Sequence, residues 1–350
     1  MTHTKSVEDL ILDAEATCLV GVAHLKPVGD LRRFQPAGFP EIGQVAYKSG
    51  DDRICIVDSA ASMANHLESV CFADGAATAL HPDLAGLAYV ACVTQENGEE
   101  QTVCTTLSEG HRLASDYFVG KVVKLEGEAF RDVLQRRMKL RKLSENKFFF
   151  YPEGWGHIYQ TVFEFDPNSL VHGLMFARES IKISRMLTAH HEAHRSDRVS
   201  SAGVKFDRLG KTDSGQPIFS VTQQSAAETV VTFILDLSLL RSYGRGDQGL
   251  NAAQKRLLLE LALWKIRRLT SRPFRYRSGC HLELAGAVEW TLDGQAVADP
   301  ALDIRAAIQG AGFLAERTPT KVLYPAEDLY REETAEAKGK GSTEAPEDAD

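Results

Sequence analysis

Long apolar runs, paired cysteines and catalytic signatures are all missing from this 350-residue sequence. No uninterrupted apolar stretch approaches the ~18 residues that a membrane helix needs, and mean hydropathy is -0.22. The amino-terminal MTHTKSVEDLILDAEATCLV carries acids through its first half and has no basic region ahead of a long apolar core, so it does not read as a secretion signal. Cys18, Cys55, Cys71, Cys92, Cys104 and Cys280 contain no C-x-x-C pair and have mostly apolar neighbours. They read as buried reduced thiols of a cytoplasmic protein, and not as a zinc or disulfide framework.

No G-x-x-x-x-G-K-[ST], no G-x-G-x-x-G after a strand and no G-x-S-x-G occurs. His190, His191 and His194 in TAHHEAHR include an i, i+4 pair, but H-E-x-H is one residue short of the metal-binding H-E-x-x-H. With Arg185, Arg195 and Arg198 around them, the histidines read as a polar helix end. Asp51-Asp52 reads as a turn and Glu99-Glu100 as a hairpin edge. Nothing in the residues makes a case for an enzyme, a metal or a cofactor.

An excess of basic charge is missing as well. The formal net charge is -8, which at first argues against a nucleic-acid binder. The average conceals segregation. Residues 51–100 hold nine acids and one base, and Glu327–Asp350 nine acids and three bases, which leaves the remaining chain at +6. Most of that lies in two segments: Arg131–Lys147 has seven bases against two acids, and Arg241–Arg277 ten against two. An acidic tail removes net charge without removing a basic face. Residues 326–350 are too poor in apolar side chains to offset the entropy of ordering, so they are expected to be a disordered acidic tail behind a single folded domain at 1–325.

Strands are expected at 18–28, 53–59, 87–94, 101–107, 160–166, 229–240 and 275–290, with a hairpin in Gly203–Val221 turning at Asp213-Ser214-Gly215. Asn97-Gly98 marks a tight turn. A helix capped by Asp58 or Ser59 carries Ala60, Met63, Ala64, Leu67, Val70 and Cys71 on its apolar face. Further helices are expected at 126–143, 178–194, Asn251–Thr270 and around AAIQGAG. Helices and strands mix without strict alternation, so the class is α+β.

RDVLQRRMKLRKL sets Arg136, Arg137, Lys139, Arg141 and Lys142 among Val133, Leu134, Met138 and Leu140. On a helix these bases wrap most of the circumference, denser than solubility requires. The segment reads as phosphate-binding, and as a protruding element that cannot pair with local acids. In LALWKIRRLTSRPFRYRS, Trp264, Phe274 and Tyr276 interleave with six bases, the composition of a single-strand binding surface. Trp264 nevertheless falls on the apolar helix face, and Phe274 and Tyr276 alternate with Arg275 and Arg277 as in a strand with one polar face. Arg32 and Arg33 share a Gly/Pro-rich loop with Phe34 and Phe39. Gly244 and Gly246 in SYGRGDQG are either a mobile connection or a close approach to phosphate, with Arg241 and Arg245 supplying charge.

RFQPAGFPEIG (33–43), IVDSAASMANHLESV (56–70), HRLASDYF (111–118), LTAHHEAHR (187–195), AGVKFDR (202–208) and ILDLSLLRSYG (234–244), followed by LLLELALWKIRR (257–268), occur in this order. Together they resemble the backbone subunit of the type I-G (formerly I-U) CRISPR interference complex, a Cas-seven-type member of the RAMP superfamily. The likeness spans roughly residues 18–325. It implies an RRM-like (ferredoxin-like) palm with finger and thumb insertions, the thumb placed at 121–147. It implies a cytoplasmic subunit that polymerises with copies of itself along CRISPR RNA and supports target DNA pairing with the guide. Its other partners would be a large subunit and a fused Cas-five/Cas-six-type subunit, with no membrane. Carried over by position, Arg32, Arg33, Phe34 and Gln35 would contact the guide from a loop, and Ser59, Asn65 and His66 from the helix beside it. His111 and Arg112, Lys205 and Arg208, and Arg241 and Tyr243 would add contacts. Arg136, Arg137, Arg141 and Arg245 join this set from the basic segments.

Three functions follow. The first is a non-catalytic RNA-guided scaffold. The second is a RAMP-type endoribonuclease that processes CRISPR precursor RNA, with His111 or His190 as general base near a ribose 2′-OH. The third is a structural protein assembling through its acidic and basic faces without RNA.

Overall fold

The structure, a computed structural model, describes Asp9–Leu10 and residues 15–329 apart from residues 30, 40–41, 77, 145–146, 205–217 and 246–247. Lys205, Arg208, the expected Asp213-Ser214-Gly215 turn and the tail beyond Leu329 therefore lie outside the described residues.

Alternation builds the central strand. In Cys18–Pro27, Leu19, Gly21, Ala23 and Leu25 turn inward while Cys18, Val20, Val22 and His24 stay half-exposed. Gly21 is required by packing: a Cβ there would lie 2.8 Å from the Trp290 ring, which covers it. This strand pairs antiparallel with Glu228–Asp236, which pairs with Leu187–His194, which pairs with Asp52–Asp58 and then Ala46–Ser49. On its other edge lie Cys280–Leu284 and Phe274–Arg277, and beside its first half Glu289–Leu292 and Gln295–Val297.

Four of these strands define the architecture. Counted along the chain as Cys18–Pro27, Leu187–His194, Glu228–Asp236 and Cys280–Leu284, they lie in the order 4-1-3-2. Helix Ala60–Ser69 falls between the first and second, and helix Ala252–Thr270 between the third and fourth. The helices touch each other and the same sheet face. This β-α-β-β-α-β connection is α+β and compatible with an RRM-like unit. Its opposite face carries rows such as Val20–Ile234–Thr188 and Val22–Thr232–His190.

The segment between helix Ala60–Ser69 and strand Leu187–His194 forms a second sheet together with Thr320–Leu323 from late in the chain. Glu99–Thr105, Val90–Glu96, Thr320–Leu323, Lys124–Leu125 and Glu128–Ala129 adjoin in that order. Asn97 and Gly98 both adopt positive φ in the turn linking its first two strands. Cys92 and Cys104 lie opposite each other across those strands as free thiols. A third sheet pairs Asp197–Val204 with Ile218–Ser225, and the latter with Arg33–Phe34. One contiguous hydrophobic core runs from Leu10 to Val322.

Several expected elements take another form. Residues 160–165 belong to helix Trp155–Phe165, because Ile158, Tyr159, Val162 and Phe163 bury one helical face, and Asp166 caps its end. Residues 178–194 are not helical but form strands Ile181–Ile183 and Leu187–His194, with Leu187, Ala189, His191 and Ala193 inward. His191 thus faces away from His190 and His194. The basic helix is only Phe130–Arg137: Lys139 takes φ 53°, and Arg141–Ser144 then pairs with Lys147–Phe149. Residues 275–290 split into three strands. Ala326–Leu329, the start of the expected tail, is a helical turn. Among the described residues no helix is long and apolar enough to cross a membrane.

Candidate nucleic-acid interface

The loop after the first strand reaches the sheet through its backbone. Arg33 and Phe34 pair with Ser225 and Gln224, and the Gln35 amide donates to the Gly279 carbonyl at 2.8 Å. This alternation drives Phe34 into the core, 1% exposed, and leaves Arg32 and Arg33 outside. Phe34 is therefore an anchor for the loop and offers no ring to RNA. Arg32 and Arg33 form no ion pair among the described residues, and Leu31 beside them is exposed.

Asp58 ends its strand as a buried junction. Its Oδ2 lies 2.7 Å from Arg277 Nη2 and 2.9 Å from His66 Nε2, and its Oδ1 accepts from the Ser59 amide at 3.0 Å. Burial opposes ionisation, but the His66 hydrogen bond, the Arg277 charge and a Ser62 hydrogen bond outweigh it and hold the carboxyl below its ordinary value. Arg277 also donates through Nη1 to the carbonyl of Val57 at 2.7 Å and to that of Gln35 at 3.4 Å. One guanidinium thus joins the Arg32–Gln35 loop to the start of helix Ala60–Ser69. The His66 ring stands edge-on to Phe274 and Tyr276 with centroids 5.4 and 5.3 Å apart, and His191 lies 4.8 Å beyond on Tyr276. Burial depresses the His191 pKa to about 3, so it packs as a neutral ring.

Ser59 caps the helix, its Oγ accepting from the Ser62 amide at 3.1 Å. Met63, Ala64 and Leu67 are buried beneath, each apolar side chain of Leu or Met size contributing about 1.5–3 kcal/mol. The opposite face presents Asn65 and Ser69 to solvent. These two line a shallow groove of roughly 290 Å³ together with Ser108, Glu109 and Gly110. Gly110 also borders a larger cleft of roughly 660 Å³ that contains His111, Lys182, Arg185 and Thr188. The Arg32–Arg33 loop, tied by Arg277 to the helix start, the groove along the helix and the cleft at exposed His111 form one candidate tract, the groove and the cleft meeting at Gly110.

Arg112, beside His111, turns its side chain inward. It is 6% exposed and grips Glu68 with two bonds, Nε–Oε1 at 2.6 Å and Nη2–Oε2 at 2.9 Å. Asn168 Nδ2 donates to the same Glu68 oxygen at 2.6 Å, and Lys265 donates to Asn168 Oδ1. Asp166 completes the buried set, accepting from Ser169 Oγ at 2.5 Å, with burial raising its pKa to about 6. Arg112 thus belongs to a buried charge network, its charge already met by Glu68.

Tyr243 is likewise internal: it is 0% exposed, and its hydroxyl donates to the Leu170 carbonyl at 3.0 Å. Arg241 is half-buried against Ser238, whereas Arg245 is exposed. The basic segment also departs from expectation, because local acids do reach it. Arg136 pairs with Glu128, and Arg137 with Glu164 at 2.7 Å while lying over the Phe165 ring. Arg141 instead stands exposed on the Arg141–Phe149 hairpin with Lys142, Leu143 and Phe149. Trp264 is buried, as its place on the helix implied. Residue patterns did not single out Lys182, and placed Arg277 only as one of six bases among Trp264, Phe274 and Tyr276. Arg277 became important only when Asp58 and Gln35, distant in sequence, met it.

A model of the family described as CRISPR-associated protein GSU0053 matches residues 19–196, just over half of the chain. No curated protein matches the chain. Among solved structures, a chain described as "CRISPR RNA-guided surveillance complex, pre-nicking" is 12% identical over 78% of this chain and 75% of that one, with a TM-score of 0.38. A likeness that distant carries no argument about function.

Proposed function

We propose, from the premise that this chain belongs to the CRISPR-associated protein GSU0053 family, that it is a non-catalytic backbone subunit of a Cascade-type interference complex that holds CRISPR RNA. The nine-stranded sheet with its two helices is the palm, and the segment 121–147, extended by its hairpin, is the thumb. Copies of the chain line up along the guide, which pairs with target DNA. The large subunit and a fused Cas-five/Cas-six-type subunit complete the assembly.

One observation carries this reading. The tract joins the Arg32–Arg33 loop, which Arg277 ties to the helix start, with a groove and a cleft that meet at Gly110, and the arginines at its start have no carboxylate partner among the described residues. Cations left unpaired on a surface are free to replace the counterions of a phosphate backbone. The half-exposed sheet face, by contrast, offers Val, Ile, Thr and the exposed His190 imidazole in its central rows, and no Phe, Tyr or Trp ring there. Contacts along the tract are therefore to backbone, in keeping with sequence being read by the guide's own base pairing.

The test is co-expression with a CRISPR array. The chain is expected to purify with bound RNA as particles larger than one copy, and to leave repeat-containing RNA uncut. RNA-free monomer would contradict the scaffold. Cleavage lost in His111→Ala would favour the endoribonuclease.

A further inference from the structure

The cleft beyond His111 has a composition that the tract alone does not explain. It is lined by Leu174, Met175, Lys182 and Ile183 of the hairpin Leu174–Phe176 and Ile181–Ile183, by Gly110–Arg112, and by Thr188. Lys182 and Arg185 are its uncommitted cations; neither forms an ion pair among the described residues, and no Asp or Glu lines the cleft. Arg112, the remaining guanidinium, is neutralised by Glu68. Surface arginines elsewhere, such as Arg136, Arg272 and Arg305, have carboxylate partners. The potential inside the cleft is therefore positive and its cations are available.

His172 supplies a second, independent observation. It lines the cleft yet is 1% exposed, and neither ring nitrogen has a hydrogen-bond partner. Buried polar atoms left unsatisfied in a folded protein call for a ligand or an ordered water. Burial, with the charges of Lys265, Arg112 and Arg185, keeps this imidazole neutral, so one nitrogen donates and the other accepts. Next to it, Gly173 adopts φ 76°, and a Cβ there would lie 2.8 Å from the Ile183 carbonyl; glycine lets the hairpin wall close against this corner. Leu174 and the exposed Met175 add an apolar surface. Cations, a donor–acceptor pair and an apolar wall in roughly 660 Å³ suit a ligand with an anionic group and a flat heteroaromatic ring.

We infer that this cleft holds one nucleotide of the bound RNA strand, its phosphate against Lys182 and Arg185 and its base against Leu174 and Met175 beside His172. The inference rests on the RNA-binding reading above and adds residues and a subsite to it. A strand following Asn65 and Ser69 enters the cleft at Gly110, which borders both spaces.

The experiment is fluorescence anisotropy of the full chain with a labelled oligouridylate of roughly 12 nucleotides, titrated between about 50 and 200 mM salt. Lys182→Ala with Arg185→Ala should weaken binding roughly tenfold and make the log affinity against log salt line shallower by about two. Lys182→Ala alone, at an exposed position, should remove about one unit of slope without changing the thermal midpoint. A 4-thiouridine in the oligonucleotide should crosslink to the Leu174–Met175 wall. Unchanged affinity and slope in both variants, while Arg32→Ala with Arg33→Ala weakens binding, would overturn the cleft and leave the tract standing. A wild-type chain with no RNA affinity would overturn both.

Discussion

Arg33 and Arg112 are equally basic letters in two strings of the same resemblance, yet the fold gives them opposite surroundings. Arg33 is exposed without an ion pair among the described residues, while Arg112 is locked on Glu68 inside the protein. Arg112→Met should cost about 3–5 kcal/mol in denaturant unfolding, because Glu68 is left as a buried uncompensated charge. Arg33→Ala should change stability by no more than about 0.5 kcal/mol and weaken RNA binding. The carboxylates at this scale make pH predictions of opposite sign. Asp58 titrates below its ordinary value of 3.8, so its contribution is present above that value and is lost as pH falls through the folded pKa. Asp166 is raised to about 6, so between 3.8 and 6 the folded state holds a proton that the unfolded chain has released. Its contribution is therefore lost as pH rises through that window. His191, depressed to about 3, acts in the other direction over an overlapping range, as does His172. The difference between wild type and Asp166→Asn isolates the carboxyl: urea midpoints between pH 4 and 6 should rise more steeply with pH in the variant.

At the scale of elements, the basic segment separates into two parts. Helix Phe130–Arg137 buries Phe130, Val133 and Leu134, and its arginines are answered by Glu128 and Glu164. The following hairpin exposes Arg141 and Lys142 beside Leu143 and Phe149. Arg141→Glu with Lys142→Glu should therefore weaken RNA binding more than Arg136→Glu with Arg137→Glu, measured in one anisotropy series. Elements whose signals are local were legible from sequence. Ser59 caps a helix with clear apolar spacing, Asn97-Gly98 turns a hairpin, and Asn251 opens the long helix with a full capping box. Residues 187–194 were misread because a buried histidine, sheltered by Tyr276, breaks the apolar alternation that would mark a strand. Residues 160–166 were misread because aromatic and β-branched side chains suit strands, while tertiary packing placed them on a buried helix face.

For the whole molecule, net charge is a poor guide to binding. The chain carries -8 overall, yet its acids are concentrated at 51–100 and 327–350, and several that lie in the fold are used to neutralise arginines. Asp74 takes Arg268 and Arg272, and Asp83 takes Arg305. What remains unpaired is the quantity that matters, and it depends on contacts between distant segments. The same distance hid the sheet order, since more than a hundred residues separate its first and second core strands. It also hid the burial of Phe34, Arg112 and Tyr243, whereas Arg32, Arg33, Asn65 and His111 are exposed. The most direct test of the central claim is the salt dependence of RNA affinity for the full chain beside Arg32→Ala with Arg33→Ala. The wild-type affinity should fall linearly with log salt, and the double variant should bind more weakly with a slope shallower by about two. Equal slopes and affinities for the two proteins, or RNA binding indifferent to salt, would contradict it.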